Sequence, residues 1–479
     1  MITLVAIPAL PLAAAVLSFL WRRVSVAQVA TVVASAAAFA LSVVIALTVD
    51  HRLAVIAVAT WIGVNPLAGL ILLLQSFVGV TAALYSCHYV PHIAPDSPTR
   101  QVRYFVNLNL FQASLFVVPL LLQPALTWVA VELTTVLSVF LVGFDDNRLA
   151  LEAAWKYAVM TIMGATVAVL GIFLLLWAIE RQHAPVQTWT TLIQAAPHMP
   201  PALTALAFAL ILIGLGTKIG LVPMHTWLPD AHSQAPAPVC ALLSGVELTT
   251  VLYVVMRLWP AFVAVPGLRV GTWAVAVGLV SVGAAAFLLI QVHDFKRMFA
   301  YSSVEHMGIL LVALGLGPLG VYACMYQLLS HGLAKSLAFY GAGSTLAATG
   351  TRDIAGVSGL VRTAPTAAAS LMVGSLAVTG APPFALFLSE LSVLRSAVAG
   401  DQWLVLALLL LFLAVAFLAI MRHTNRMVFG QPSSAGGRTP ASMTVATALA
   451  VVPVLVLGVY LPAPLHHLFA LAAASVWPR

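Results

Sequence analysis

Fourteen apolar runs dominate this chain, most of them close to the length that a helix needs to cross a bilayer, about 20 residues. They lie near 2–20, 24–48, 66–90, 104–122, 124–143, 155–178, 203–224, 238–260, 270–292, 299–316, 319–348, 366–399, 402–421 and 441–461. Lipid offers no hydrogen bonds, so spanning backbone must satisfy its own. The expected fold is all-α, a polytopic membrane protein of about 14 transmembrane helices. Composition closes the alternatives. With 62% of 479 residues apolar and 7% charged, a soluble particle could not cover its surface, and disorder needs the opposite balance. The first run lacks a clean small-x-small cleavage site before Trp21 and reads as a retained helix rather than a signal peptide. Cys87, Cys240 and Cys324 form an odd set without a CxxC pair, which argues against a disulfide framework or a thiolate metal site.

The net charge of +7 does not point to nucleic acid, because the basic residues stand singly between apolar runs. Loops after odd-numbered runs hold twelve of them: Arg22, Arg23, Arg100, Arg103, Arg148, Lys296, Arg297, Arg352, Arg362, Arg422, Arg426 and Arg438. Loops after even-numbered runs, with the C-terminus, hold six: Arg52, Arg181, Arg257, Arg269, Arg395 and Arg479. Basic residues favour the cytoplasmic side, so both termini are expected outside the cytoplasm, in the inner (cell) membrane of a prokaryote.

Two runs are interrupted. Pro223 and Pro229 break the seventh, and Gly380, Pro382 and Pro383 break the twelfth. Such breaks persist at membrane depth only inside protein or beside water. Runs four to eight and nine to thirteen then form two five-helix units, each broken in its fourth helix. An odd number of helices inverts the second unit relative to the first, which is a transporter pattern. The expected organisation is an N-terminal three-helix segment (1–103), a first repeat (104–260), a second, inverted repeat (261–421), and a C-terminal helix and tail (422–479).

The chain has four lysines against seventeen arginines. Lys156, Lys218 and Lys335 fall inside runs and Lys296 at the edge of one, whereas the arginines sit almost entirely in loops. A buried lysine can release its proton and an arginine cannot, so the lysines are proton-relay candidates. Glu132, Glu247, Glu305 and Glu390 also fall in or at the ends of runs. An ionisable group at membrane depth costs at least about 2.5–3.5 kcal/mol and is a functional candidate by default. The bland alternative is a set of structural ion pairs, and it applies most to Glu305 beside His306. His331 and Lys335 lie one helical turn apart and could pass a proton. His225 and His232, within KIGLVPMHTWLPDAH, invite a metal reading, but no third ligand has suitable spacing and HExxH is absent. Polar groups lining a hydrated break explain the stretch better. The literal GxGxxG of Gly315, Gly317 and Gly320 follows no strand, so the dinucleotide reading fails its context. No motif for a cofactor, a nucleotide or a nucleophile is present in the chain.

KIGLVPMHTWLPDAHSQAPAPVCALLSGV (Lys218 to Val246) resembles the signature of antiporter-like membrane subunits. That family occurs in respiratory complex I, Mrp-type cation/proton antiporters and membrane-bound NiFe hydrogenases. DFKRMFAYSSVEHMG (Asp294 to Gly308) and HGLAKSLAF (His331 to Phe339) are further family blocks. LEAAWKY (Leu151 to Tyr157), AYSSVEHMG and GAPPFALFLSE (Gly380 to Glu390) are most similar to the hydrogenase-4 component F type. The resemblance implies fourteen core helices, inverted repeats, proton translocation, and partner membrane and peripheral subunits that supply the energy. It places Glu132 on the family's glutamate of the fifth helix and Lys218 on its lysine of the seventh. Lys335 and Glu390 match the polar positions of the eleventh and twelfth. On this reading Lys218 holds its proton while paired with Glu132 and passes it on when the pair opens. The chain departs from the family at the eighth helix, with Thr249 where many relatives carry lysine and Glu247 two residues earlier. On an α-helix these two residues point about 200° apart, so Glu247 should share a face with Ser244 and Val251 instead. Either the relay bends through Glu247 and water, or Glu247 pairs with a neighbouring helix and closes the first half.

The leading expectation is a proton-translocating subunit of a hydrogenase-like or complex I-like assembly. A cation/proton antiporter component, with sodium as the alternative ion, or the energising part of an inorganic-carbon uptake complex is the second. A membrane scaffold that does not conduct is the third, and the cost of burying so many ionisable groups argues against it. Hydrogen oxidation in this chain is excluded, since nickel and iron–sulfur sites need cysteine clusters.

Overall fold

A computed structural model describes residues 2–49, 61–180, 188–432, 437 and 439–477. Arg52, Arg181, Arg438 and Arg479, counted above for orientation, lie outside the described residues. The N-terminal helices are α1 (Ile2–Trp21), α2 (Val24–Thr48) and α3 (Pro66–Ile93). Next come α4 (Pro98–Leu120), α5 (Pro124–Val142), α6 (Arg148–Glu180) and a short α7 (Trp189–Ala195). The first broken helix is α8 (Pro201–Ile219) with α9 (Trp227–Gln234). It leads into α10 (Ala237–Leu242), a π-helical turn over Leu243–Glu247, and α11 (Leu248–Val263). Then follow α12 (Val270–Ile290), α13 (Phe295–Gly315), α14 (Pro318–Thr349) and one turn, α15 (Leu360–Thr363). The second broken helix is α16 (Pro365–Val378) with α17 (Ala385–Ala399). The chain ends in α18 (Trp403–Phe429), α19 (Ala441–Val459) and α20 (Ala463–Val476). Among the described residues the only strand-like contacts are two isolated bridges, Ile62 with Leu121 and Asp294 with Asp353.

Proline at the first or second helical position starts many of these helices, where its missing N–H costs nothing. Among the described residues eleven helices are long and apolar enough to span a membrane. The expected fourteen runs and these eleven differ where polar side chains dilute long helices, as in α14, or where a break leaves two short pieces, as in α16 and α17. The chain is an integral membrane protein with an all-α fold.

Loops alternate between two faces. On one face Arg100 Nε donates to Phe144 O at 2.9 Å, Arg352 to Ser233 O at 2.5 Å, and Gly437 N to Ala348 O at 3.4 Å. This is the basic face. On the other, Gly63 N donates to Leu120 O at 2.8 Å and Trp189 N to Leu122 O at 3.1 Å, while Trp477 lies with Gly317 and Gly400. The C-terminal residue described therefore shares the less basic face with the even-numbered loops.

Both breaks have the same construction. Residues 220–226 separate α8 from α9 across a cis Val222–Pro223 bond, and residues 379–384 separate α16 from α17 across a cis Pro382–Pro383 bond. In each unit the third helix packs along the first half of the broken one, α6 on α8 and α14 on α16. Each break packs against a neighbouring helix on one side, Val222 N donating to Ser281 Oγ at 3.1 Å and Gly458 lying against Pro383 O, while Pro223, Thr226, Pro382 and Pro383 stay exposed.

A candidate proton-relay site

Lys218 occupies the last turn of α8, beside the first break, and its side chain is 1% exposed. Its Nζ donates to Val131 O at 2.6 Å, to Thr134 Oγ1 at 2.9 Å and to Thr135 Oγ1, all on α5. Its carboxylate partner is Glu247 Oε1 at 3.2 Å, not Glu132. Glu247 also accepts from Thr134 Oγ1 at 2.9 Å and from Tyr157 OH at 3.1 Å. Glu132 lies next to Val131 on α5, half buried, with Oε1 shielded from solvent and without a hydrogen-bond partner.

The expectation that Glu247 shares a face with Ser244 is corrected by the π-turn. Its wider turn takes up roughly one extra residue and re-phases the side chains that follow it. Glu247 thereby turns into the first unit towards Lys218. Ser244 faces the second unit, with its hydroxyl 2.6 Å from Ser303 Oγ and its carbonyl 3.2 Å from His331 Nε2. Close backbone approach makes this contact possible. A Cβ on Gly245 would lie 2.7 Å from Gly332 O, so the π-turn and α14 meet without side chains between them.

From His331 the polar side chains continue into the second unit. The rings of His331 and His306 are 5.2 Å apart between centroids. His306 Nδ1 lies 3.3 Å from Gln327 Nε2 and 3.9 Å from Glu390 Oε1, and its Nε2 faces Val378 O at 2.9 Å. Gln327 Oε1 accepts from Ser389 Oγ at 2.5 Å. Glu390 and Glu305 line a small cavity closed by Leu413, Phe417 and Ile420 of α18. Gly380, at φ +64°, lies against Glu390, and a Cβ there would overlap its Oε2.

Lys335 is fully buried and turns to α13, donating to Phe299 O at 3.0 Å and to Ser302 Oγ. Lys218 and Lys335 thus share one device, a side-chain nitrogen donating to a helical carbonyl and to the hydroxyl three residues later, to which Lys218 adds Glu247. The helices that supply the lysines are not equivalent, being the fourth of the first unit and the third of the second. His331 and Lys335 share a buried stretch of α14 but bond to different elements.

Lys156, expected inside a span, stands on the basic face. Its side chain is 41% exposed and pairs with Glu152 at 2.7 Å and Asp230 at 3.2 Å. Asp230 is also held by Arg297 at 2.5 Å. The reason is length: α6 has 33 residues, about 50 Å, against a hydrocarbon core of about 30 Å, so its first turns stand outside. His225 is half buried in the first break, its ring 6.3 Å from that of Tyr301. His232 is fully buried and stacked on Phe339 at 5.1 Å, with neither ring nitrogen bonded. Lys296 is buried, donating to Ser233 O at 3.1 Å and to Ala235 O, carbonyls freed where α9 gives way to α10.

Sequence reasoning missed the neutral members of this file: Thr134, Tyr157, Ser244, Ser303, Gln327 and Ser389. Gln327, one turn before His331 in an apolar helix, carried a usable signal; single serines and threonines did not. Among the described residues no group of three His, Cys, Asp or Glu side chains could hold a metal ion.

Residues 124–419 match the family described as NADH:quinone oxidoreductase/Mrp antiporter, TM. The chain is 36% identical over 418 residues to the hydrogenase-4 component F homolog of Methylacidiphilum infernorum (isolate V4), covering 85% of this chain and 83% of that protein. It is 27% identical over 417 residues to NADH-quinone oxidoreductase subunit N of Desulforudis audaxviator (strain MP104C), covering 83% and 80%. Its fold superimposes with a TM-score of 0.89 on a chain of the archaeal membrane-bound sulfane sulfur reductase, at 24% identity over 99% of this chain and 98% of that one.

Proposed function

Because the chain belongs to the membrane-subunit family of NADH:quinone oxidoreductases and Mrp antiporters, we propose that it moves protons across the membrane within a hydrogenase-like or complex I-like assembly. The observation that carries this reading is the buried Lys218–Glu247 pair at 3.2 Å, followed across the π-turn by a second polar group in which Ser244 meets Ser303 and His331, and His331 lies beside His306 and Glu390. A scaffold has no need of such a file, since every buried charge in it costs free energy.

In the proposed cycle Lys218 holds a proton while paired with Glu247. Separation of the pair passes that proton along the Ser244–Ser303 hydroxyls and the two histidines to Glu390, with water bridging the longer gaps. Glu132, with its unpaired buried oxygen one residue from Val131, is a second carboxylate within the same neighbourhood and would receive the Lys218 side chain once it is reprotonated. Lys335 supplies the corresponding cation of the second unit. Lys156, with Glu152 and Asp230, serves the entrance on the basic face, as do His225 in the first break and His232 on α9. The driving force comes from partner subunits, membrane and peripheral. The basic face is cytoplasmic, in a prokaryotic inner membrane, and the two five-helix repeats each form a half-channel.

The test is proton flux through vesicles carrying the purified assembly, followed with a pH-sensitive dye. Lys218→Ala abolishes coupled flux while the protein still inserts, and Lys218→Arg reduces it less completely. Normal flux in a well-assembled Lys218→Ala variant removes this residue from the mechanism. Identification of the copurifying subunits names the partner enzyme.

A further inference from the structure

Away from the polar file, a cavity of about 700 Å³ opens on the basic face between α4, α5 and α6. Arg100, Arg103 and Asp146 stand at its mouth, and Phe140, Leu151, Trp155 and Ala158 line its walls. From Leu151 to Ala158 the cavity runs seven residues along α6, about 10 Å. That depth spans the headgroup layer, about 5–8 Å thick on each side, and the top of the hydrocarbon. Phe140 and Trp155 are 62% and 66% exposed, so these walls need an apolar cover at that level.

The charges at the mouth are complementary to one headgroup class. Arg100 is committed: it donates to Phe144 O at 2.9 Å, pairs with Asp145 at 3.6 Å and lies over the Phe144 ring at 4.5 Å. Arg103 and Asp146 are both exposed and neither forms an ion pair among the described residues. One free cation and one free anion therefore remain beside an apolar slot. We infer that this slot binds a zwitterionic phospholipid with a primary amine headgroup, its phosphate on Arg103, its ammonium on Asp146, and an acyl chain along Phe140 and Trp155. Basic pockets between transmembrane helices are known to take lipid headgroups, and here the second, acidic group selects the amine. An anionic lipid would leave Asp146 without a partner, and a free phosphate would leave the apolar walls in water.

The test is native mass spectrometry of the full-length protein, titrated with phosphatidylethanolamine or phosphatidylglycerol of the same acyl chains. One phosphatidylethanolamine is retained at about fivefold lower concentration than phosphatidylglycerol, the size expected of one exposed charge contact. Arg103→Gln weakens both lipids, Asp146→Asn removes the preference, and Ala158→Trp, which fills the slot, abolishes retention. Equal binding of the two lipids by the unmodified chain overturns the proposal, as does retention indifferent to both Arg103→Gln and Ala158→Trp. Complete displacement by inorganic phosphate would mean an ion site instead. Cross-linking of Trp155→Cys to a copurifying protein would mean that a subunit covers this face.

Discussion

Replacing Glu247 by glutamine separates charge from shape at the centre of the first unit. Glutamine keeps the size and most hydrogen bonds of the side chain but leaves the Lys218 ammonium without a counter-charge. Both side chains are at most 3% exposed and 3.2 Å apart, so solvent cannot compensate. Removing one partner of a buried pair costs about 3–5 kcal/mol. Lys218 keeps Val131 O at 2.6 Å, Thr134 Oγ1 at 2.9 Å and Thr135 Oγ1, which places the cost at the lower end. A loss of about 3 kcal/mol corresponds to about a hundredfold in an equilibrium. Glu247→Gln therefore lowers the melting temperature of the purified protein and, by removing the titrating partner of Lys218, strongly reduces proton flux in dye-loaded vesicles. Adding Lys218→Met removes the orphaned charge, so the double variant regains most of the stability and none of the flux. Full flux in Glu247→Gln, with stability alone reduced, would refute the reasoning and make the pair structural. A double variant no more stable than the single one would show that the ammonium is not what Glu247 compensates.

Three further outcomes follow from the geometry. Gly380→Ala forces a left-handed backbone on a side chain and pushes Glu390 aside, costing about 1–3 kcal/mol for the backbone alone; thermal unfolding and flux should both fall, and an unchanged melting point would deny the crowding. Lys156→Ala breaks only half-exposed pairs, so the melting temperature should barely move, while the loss of an entrance group should lower flux without abolishing it; abolished flux would place Lys156 in the relay itself, and unchanged flux would deny it the entrance. Reporter fusions after Trp477 and within the 422–432 segment should report opposite sides of the membrane, with the C-terminus outside the cytoplasm. A cytoplasmic C-terminus would contradict the orientation drawn from the basic loops.

The apolar runs and their interruptions were legible in the sequence because membrane burial leaves a strong hydropathy signal and proline a sharp one. Helix ends were not: α6 begins at Arg148 and α4 at Pro98, several residues before the runs that announce them, because their first turns lie outside the hydrocarbon. The same effect misplaced Lys156. Which acid pairs with Lys218 was also illegible. Spacing arguments assume the α pitch throughout, and the turn at Leu243–Glu247 does not have it. The family resemblance pointed to Glu132, and only the π-turn shows why Glu247 takes that place. The sequence did carry the right residue types on the right runs; their pairing depends on phase, which one inserted residue changes.

His331 is the junction on which the central claim depends. It is fully buried, 3.2 Å from the carbonyl of Ser244 on one side and 5.2 Å, ring to ring, from His306 on the other. The most direct measurement is dye-reported proton flux in vesicles bearing the assembly with His331→Phe, a change that fills the space and removes both ring nitrogens. A single continuous file predicts that flux disappears while the subunits still assemble. Flux at the normal rate would mean that protons do not pass between the two halves of this subunit.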